Sequence, residues 1–547
     1  MILNPPRTPL LLAALAAACV ATPTAPDLRR FAFDAQALPT VAEASDFTRT
    51  ATHAEVTAFF DRVAAASDLV HPISLGASVE GRELVAVLIA DPPIRTAAEA
   101  RASEKPLVFL VGNIHAGEVC GKEALSMLAR ELAGGAPLLE RVNLAVLPNY
   151  NPDGNDAMAP DNRPGQVGPQ TMGERENAQG LDLNRDWVKA DAPETRAFIG
   201  FLNAYDPLVI VDTHTTNGSH HRYTITHQGP KHPAGDAGVL AYVRDAFLPD
   251  VDARFADATD YESFVYGNFG RRHELWTTYP AEPRYGVAYR GLRGRMSILS
   301  EGYSYATYRD RALGTKAFCE AVLAHAAENA ERIVALCAAA DARTVARGAA
   351  AEGTVPLRVE ARPFERRTTV KGFEEYDDEG QRLPEPGAPR DYEVELANDF
   401  VPTLEVALPR GYVFGSELAE VAEHLRLHGV EVGEVTEPVV LETERYRVLE
   451  VSTADTPYEG RRRTDVRRVE RYDARETWPV GSFVVPTAQP LGVLAAYLLE
   501  PRATDGLTAW GIISTATDAT HPVARTSTAV TSTAVNRTAA AQPPTTR

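Results

Sequence analysis

LVFLVGNIHAGEVCGKEAL, residues 107–125, decides the fold class. Leu107 to Val111 is a continuous apolar run, too short for a buried helix and closed by Gly112 and Asn113, which reads as a strand covered on both faces. From Glu118 to Leu132 the apolar spacing becomes helical, and VNLAVLP, residues 142–148, is a second buried strand. Strand, helix, strand is the unit of a parallel sheet with helices packed on its faces.

Working outward, HPISLGASVEGRELVAVLIAD (His71 to Asp91) holds two β-rich runs around Glu80-Gly81 and predicts a hairpin, so the ordered chain is expected from about residue 45. Downstream the pattern repeats: a helix Pro193–Tyr205, a strand PLVIVDTH ending at His214, a helix Ala237–Phe247, a strand MSILSE ending at Glu301, and a long alanine-rich helix Arg311–Ala340. Residues 45–340 are therefore predicted to be one α/β domain, with a mixed, largely parallel central sheet flanked by helices. The small polar stretch Asp341–Glu352 reads as a linker. Beyond it, YEVELAND, YRVLEV and WPVGSFVVP surround one helix, Ser416–Gly429, giving a smaller α+β domain over 355–515. Residues 516–547, dominated by Thr, Ala, Ser and Pro, are expected to form a disordered tail, because they hold too little apolar surface to offset chain entropy.

Composition narrows the function. With 55 basic and 74 acidic residues among 547, the net charge of −19 repels phosphate backbones and argues against a nucleic-acid partner. Four cysteines without a C-x-x-C pair support neither a disulfide framework nor a thiolate metal site. Arg7, the apolar stretch Leu10–Val20 and the small residues near Ala18 and Ala21 describe a signal peptide over 1–21, too short to span a bilayer. Cys19 follows Ala16-Ala17-Ala18 as in a lipobox, so the expected location is secreted or periplasmic, with a lipid anchor at Cys19 as the alternative.

The chemistry sits at strand ends. His115 and Glu118 lie three apart where the first strand gives out, and a lone H-x-x-E is weak until other groups join it. Asp212 and His214 alternate onto one side of a second strand, and Glu301 ends a third, where a carboxylate is costly unless paired, solvated or functional. Two histidines and a carboxylate leave zinc a fourth position for water, so His115, Glu118 and His214 are the expected ligands and Glu301 the expected base. His220 and His221 are rival ligands in a loop past Gly218. No G-x-S-x-G elbow and no G-x-x-x-x-G-K-[ST] loop occurs, which sets aside serine hydrolases and P-loop enzymes.

In residue type and in chain order these elements resemble the zinc carboxypeptidases of the carboxypeptidase A type. His115 with Glu118 comes first, then NYNPDGNDAM around Asn151–Gly154, GLDLNRDW with Asn184 and Arg185, His214, and finally Glu301. The resemblance implies one zinc ion per chain and hydrolysis of peptides carrying a free C-terminal carboxylate, which Asn184 and Arg185 would grip. It further implies that Asp182 orients the first histidine ligand, that Arg163 stabilises the oxyanion with Arg175 as its fallback, and that a mobile tyrosine is Tyr285, chosen over Tyr279 and Tyr289. Two departures, Gly117 before Glu118 and SEGYSY around Glu301, bear on substrate contacts. Arg284, Arg290, Arg293 and Arg295 crowd the specificity interval and suggest an acidic substrate side chain, or else a solvated basic face. A zinc amidohydrolase acting on another amide or on cell-wall peptides, and a binding protein with a decayed site, are the competing functions.

Overall fold

The chain is described as a computed structural model covering residues 35–365, 367–375, 383, 385–528, 535–538 and 545–546; the leader, Cys19 included, lies outside the described residues. The predicted hairpin forms from Val70–Ala77 (β1) and Glu83–Ile89 (β2), paired antiparallel from Val70↔Ile89 to Ala77↔Glu83. The deciding segment gives Leu107–Gly112 (β3), followed by the helix Cys120–Ala133 and Asn143–Leu147 (β4). The other strands of the first half are Val209–Thr215 (β5), Ile225–Gln228 (β6), Ser263–Val265 (β7), Asn268–Phe269 (β8), Leu275–Thr277 (β9) and Met296–Gly302 (β10).

The main sheet runs in the order β1-β2-β4-β3-β5-β10-β6-β7, with Thr545–Thr546 added beyond β1. Its middle four strands, β4, β3, β5 and β10, are parallel, while β2 against β4 and β10 against β6 are antiparallel. Alternation splits β3 cleanly. Val108 and Leu110 pack with Leu125 and Leu128 of the following helix and with Phe318 and Val322 of the helix Tyr308–Glu328. Phe109 and Val111 face Phe198 and Phe201 of the helix Pro193–Tyr205. Each such side chain, removed from water, contributes roughly 1.5–3 kcal/mol. Because β3, β5 and β10 run the same way, their carboxyl ends open at one edge, where an α/β sheet places its ligands.

The second half contains Thr354–Pro363 (β11), Thr368–Phe373 (β12), Pro389–Ala407 (β13), Gly411–Phe414 (β14), Val432–Val435 (β15), Val439–Thr453 (β16), Thr464–Trp478 (β17), Phe483–Pro486 (β18), Ala524–Thr526 (β19) and Val535–Thr538 (β20). Seven of these form a sheet in the order β17-β16-β19-β14-β18-β15-β20. The halves are closely joined: β13 pairs parallel with β9 through Glu395↔Leu275, and the buried helix Gly492–Leu499 shares one apolar cluster with Trp187, Phe198 and Tyr289.

Three expectations are corrected. The alanine-rich helix is two, Tyr308–Glu328 and Ala330–Ala350, because Asn329 leaves helical geometry at φ −107, ψ 19. The expected linker is consequently helical up to Ala350, and it is anchored at Gly348, where a Cβ would meet the Thr487 carbonyl carbon at 2.2 Å. Residues 516–528 are no loose tail: β19 pairs with β14 and β16, His521 is buried, and Arg525 reaches Glu444 and Glu500. Composition missed this because the segment is held by backbone pairing and buried ion pairs rather than by an apolar face.

Candidate active site

Asn113, at φ +66, turns the chain at the end of β3, and its amide donates to Asn149 at 2.8 Å and to Asn155 at 3.0 Å. A turn follows in which Glu118 N donates to His115 O at 2.9 Å, so both side chains point to the sheet edge. The next helix is drawn close to β5 by Gly121, whose Cβ would stand 2.0 Å from Thr213 Oγ1. On β5, Asp212 and His214 alternate as predicted, and His214 is the register partner of Glu301 on β10.

Three side chains that the sequence singled out as ligands therefore converge. His115 Nδ1 lies 3.1 Å from Glu118 Oε1 and 3.2 Å from His214 Nδ1, and His214 Nδ1 lies 3.0 Å from Glu118 Oε2. The far nitrogens meet carboxylates: His115 Nε2 is 3.0 Å from Asp182 Oδ1, and His214 Nε2 is 3.3 Å from Asp212 Oδ1. Asp212 in turn accepts from Arg290 at 2.9 Å, and that guanidinium donates to Ser297 at 2.9 Å. Glu301 is 9% exposed, and its Oε2 has no partner among the described residues.

Burial works against the Glu118 carboxylate, yet His115, Arg163 and His214 hold its carboxyl well below the usual range. Burial likewise opposes the charged form of His214, but Asp212 and Glu118 raise it well above an ordinary histidine. Glu301 goes the other way. Burial, with the Glu118 charge adding and His214 opposing, pushes its carboxyl up to about 8.

A cavity of about 140 Å³ opens over this group, lined among others by Asn184, Arg185, Tyr266, Tyr279, Tyr285 and Leu299. Asn184 and Arg185 sit in a short 3-10 turn, Leu183–Arg185, which Asp182 caps by accepting Asn184 N at 2.8 Å. Asn184 Oδ1 accepts Gly286 N at 2.9 Å, and the Arg185 guanidinium lies 4.3 Å from the Tyr285 ring centre. Tyr279 also lines the cavity, with its buried hydroxyl unpartnered among the described residues, whereas Tyr289 turns away to His428 at 2.7 Å. Tyr266, which has no apolar periodicity around it to mark it, is a lining residue that the sequence reading missed.

The two arginines divide differently from expectation. Arg163 donates to Glu118 Oε1 at 2.9 Å, while Arg175 lines the cavity, braced by Asp182 at 2.7 Å. His221 packs on Tyr303 and His220 on Tyr305, apart from the ligand group. The arginines of the specificity interval are all engaged: Arg284 with Asp505, Arg290 with Asp212, Arg293 with His428 O and Asn203, and Arg295 with Asp206 and Asp341. Neither an acidic-side-chain pocket nor a solvated basic face describes them.

Residues 56–241 match the family model for zinc carboxypeptidase. That segment is similar to the zinc carboxypeptidases. Carboxypeptidase D of Mus musculus is 35% identical over 156 residues, 24% of this chain and 11% of that protein. Carboxypeptidase 2 of Trichophyton tonsurans is 23% identical over 461 residues, 79% of this chain and 78% of its own length. The chain spans between 11% and 25% of the first three relatives it matches. Among solved structures, a metallo-carboxypeptidase from Burkholderia cenocepacia aligns at 19% identity over 50% of this chain and 69% of that one, with a TM-score of 0.39. Carboxypeptidase A from Helicoverpa armigera aligns at 18% identity over 52% of this chain and 75% of that one, also with a TM-score of 0.39.

The matched segment supplies donors that suit zinc. The His115, Glu118 and His214 ligand atoms all lie within 4.8 Å of one another. Atoms about 2.0–2.1 Å from a tetrahedral ion stand about 3.3 Å apart, close to the spacings of 3.0, 3.1 and 3.2 Å found here. Two imidazole nitrogens facing each other at 3.2 Å share at most one proton, and each ring's other nitrogen meets a carboxylate, the usual support of a metal-bound histidine.

Proposed function

We propose that the protein is a zinc-dependent metallocarboxypeptidase that hydrolyses C-terminal peptide bonds. The observation that carries this reading is the convergence of His115, Glu118 and His214 beneath a cavity that also presents Glu301, whose Oε2 has no partner among the described residues, and the Asn184-Arg185 pair. Zinc held by those ligands supplies Lewis acidity and water of lowered pKa.

The chain's own groups do the rest. Arg185, a planar fork steadied by the Tyr285 ring, binds the substrate's terminal carboxylate together with Asn184. Glu301, beside the ligands on the adjacent strand, takes a proton at Oε2 from the attacking water and returns it to the leaving amine; a nearby dication favours its ionised form. Arg175 polarises the scissile carbonyl, and Arg163 neutralises Glu118. The aromatic and aliphatic lining of Tyr266, Tyr279, Val287 and Leu299 favours an uncharged terminal side chain.

No helix among the described residues is long and apolar enough to cross a membrane. Export through residues 1–21, with Cys19 as an alternative anchor, belongs to the same reading, as does an accessory role for residues 355–515. The deciding experiment measures metal content and residue release from peptides ending in Phe, Lys and Glu. About one zinc per chain with Phe released fastest is expected. Full metal without residue release turns the reading toward an amidohydrolase, and a metal-free protein sinks the site.

A further inference from the structure

One turn of the C-terminal half reaches the residue that supports the carboxylate grip from behind. β16 and β17 run as a long antiparallel pair ending at Thr453↔Thr464, and the chain between them tightens at Tyr458–Arg461. Tyr458 N donates to Arg461 O at 2.8 Å, and Arg461 N donates to Tyr458 O at 3.1 Å. Glu459 and Gly460 both carry positive φ, +51 and +77, as in a type I′ turn. Such positions suit Asn, Asp and Gly, and a glutamate held there persists only where its surroundings impose it.

Those surroundings are visible. Arg461 forks onto Asp191 at 2.6 and 2.7 Å, the Tyr458 ring stacks on Trp510, and Gly460 sits so close that a Cβ there would lie 3.4 Å from Leu181. In that seat Glu459 Oε2 accepts the backbone N–H of Asp182 at 2.9 Å. Asp182 is the residue through which the carboxylate grip is built, since its side chain caps the turn carrying Asn184 and Arg185 and also meets His115.

We infer that Glu459 is a positioning residue which, from the C-terminal half, fixes the Asp182–Arg185 turn and so sets how tightly the cleft holds a substrate's terminal carboxylate. The inference rests on the carboxypeptidase reading for its substrate, and on the turn's geometry for its residue. A hydrogen bond to a charged group accounts for roughly ten-fold or more in binding. The loss should therefore fall on KM, because Glu459 holds the backbone N–H of Asp182 at the head of the turn carrying Asn184 and Arg185, whereas His115 is met by the Asp182 side chain and Glu301 and His214 stand on β10 and β5; zinc content should accordingly stay at about one per chain.

The test uses the full-length, zinc-loaded protein with Glu459→Ala, Glu459→Gln and Glu459→Asn. Glutamine keeps an oxygen acceptor at the same reach. Asparagine accepts positive φ but is one methylene shorter. Expected are a KM for a Phe-terminated peptide raised about ten-fold in the Ala and Asn variants at unchanged kcat, a near wild-type KM in Gln, and a melting temperature in Asn no lower than in Ala. Calorimetric binding of free phenylalanine should weaken by the same factor. A wild-type KM and affinity in Ala, or equal impairment in Gln and Ala, overturns the inference. Absence of peptidase activity in the wild type sinks the functional reading alone, and the phenylalanine titration then judges Glu459 by itself.

Discussion

A carboxyl group buried at the end of β10 with one oxygen unpartnered among the described residues is a costly thing for a fold to keep, and Glu301 is kept beside His214 in strict register. If it is the proton carrier, Glu301→Gln, nearly identical in shape, should retain one zinc per chain and lose about 10²–10⁴-fold in kcat; loss of metal along with activity would mean that it serves the ligands instead. The carboxylates behind the histidines make a separate prediction. Asp182→Asn should weaken zinc by about 10–100-fold, measured by chelator competition, since the amide cannot hold the His115 ring as the carboxylate does. An unchanged affinity would remove Asp182 from the metal site. His115, His214 and Glu301 were legible in the sequence because strand ends are marked by apolar runs, and a polar residue just past such a run has few structural reasons to be there; Asp182, in a short turn, was marked only by the resemblance. The choice between Arg163 and Arg175, and Tyr266 altogether, was not legible, because loop residues carry no periodicity from which a direction can be read.

At the scale of elements, the site depends on how closely the helix Cys120–Ala133 lies against β5. Gly121 permits the approach, and a methyl group there would collide with Thr213 Oγ1, itself tied to Val111 O at 2.8 Å. Gly121→Ala should therefore cost about 1–3 kcal/mol in a denaturant titration and lower zinc occupancy as the turn bearing Glu118 is displaced from His214; full stability and full zinc in this variant would show that the contact is soft. In the first half, β1 to β5, β10 and the helices after β3 and at Pro193–Tyr205 followed from apolar period, the last with its predicted bounds, whereas the short strands β6 to β9 and the helices His53–Ala66 and Gly286–Leu292 were not read. Periodicity failed where a local departure decides the outcome. Asn329 interrupts an unbroken alanine pattern, and Val243–Phe247 continues the helix begun at Ala237 through a π turn into Leu248–Ala258. β19 was invisible because Ala524, Arg525 and Thr526 have no apolar face of their own, and their place is set by partners far away in the chain.

Across the whole molecule, the two halves are held together by buried polar groups as well as by the shared apolar cluster, and this gives stability a defined pH dependence. Burial lowers His221 and His232 to about 3 and His424 and His521 to about 4. His424 Nε2 donates to Val188 O at 2.9 Å, and the His232 ring stands edge-on to Tyr497, so both lie between the halves. Each is neutral in the folded chain and takes a proton near pH 6.5 when unfolded. Between pH 6.5 and the folded value the unfolded state binds more protons, so stability rises with pH across that window and is lost as pH falls through it. Each such histidine adds about 1.4 kcal/mol per pH unit to the slope. Urea unfolding between pH 6.5 and 4.5 should therefore show steeply falling stability. His424→Gln, whose amide can still donate to Val188 O without titrating, should reduce the slope by one proton's share while leaving stability near pH 7 little changed. A slope identical to wild type would show that His424 keeps its ordinary pKa and that acid reaches the interface by another route.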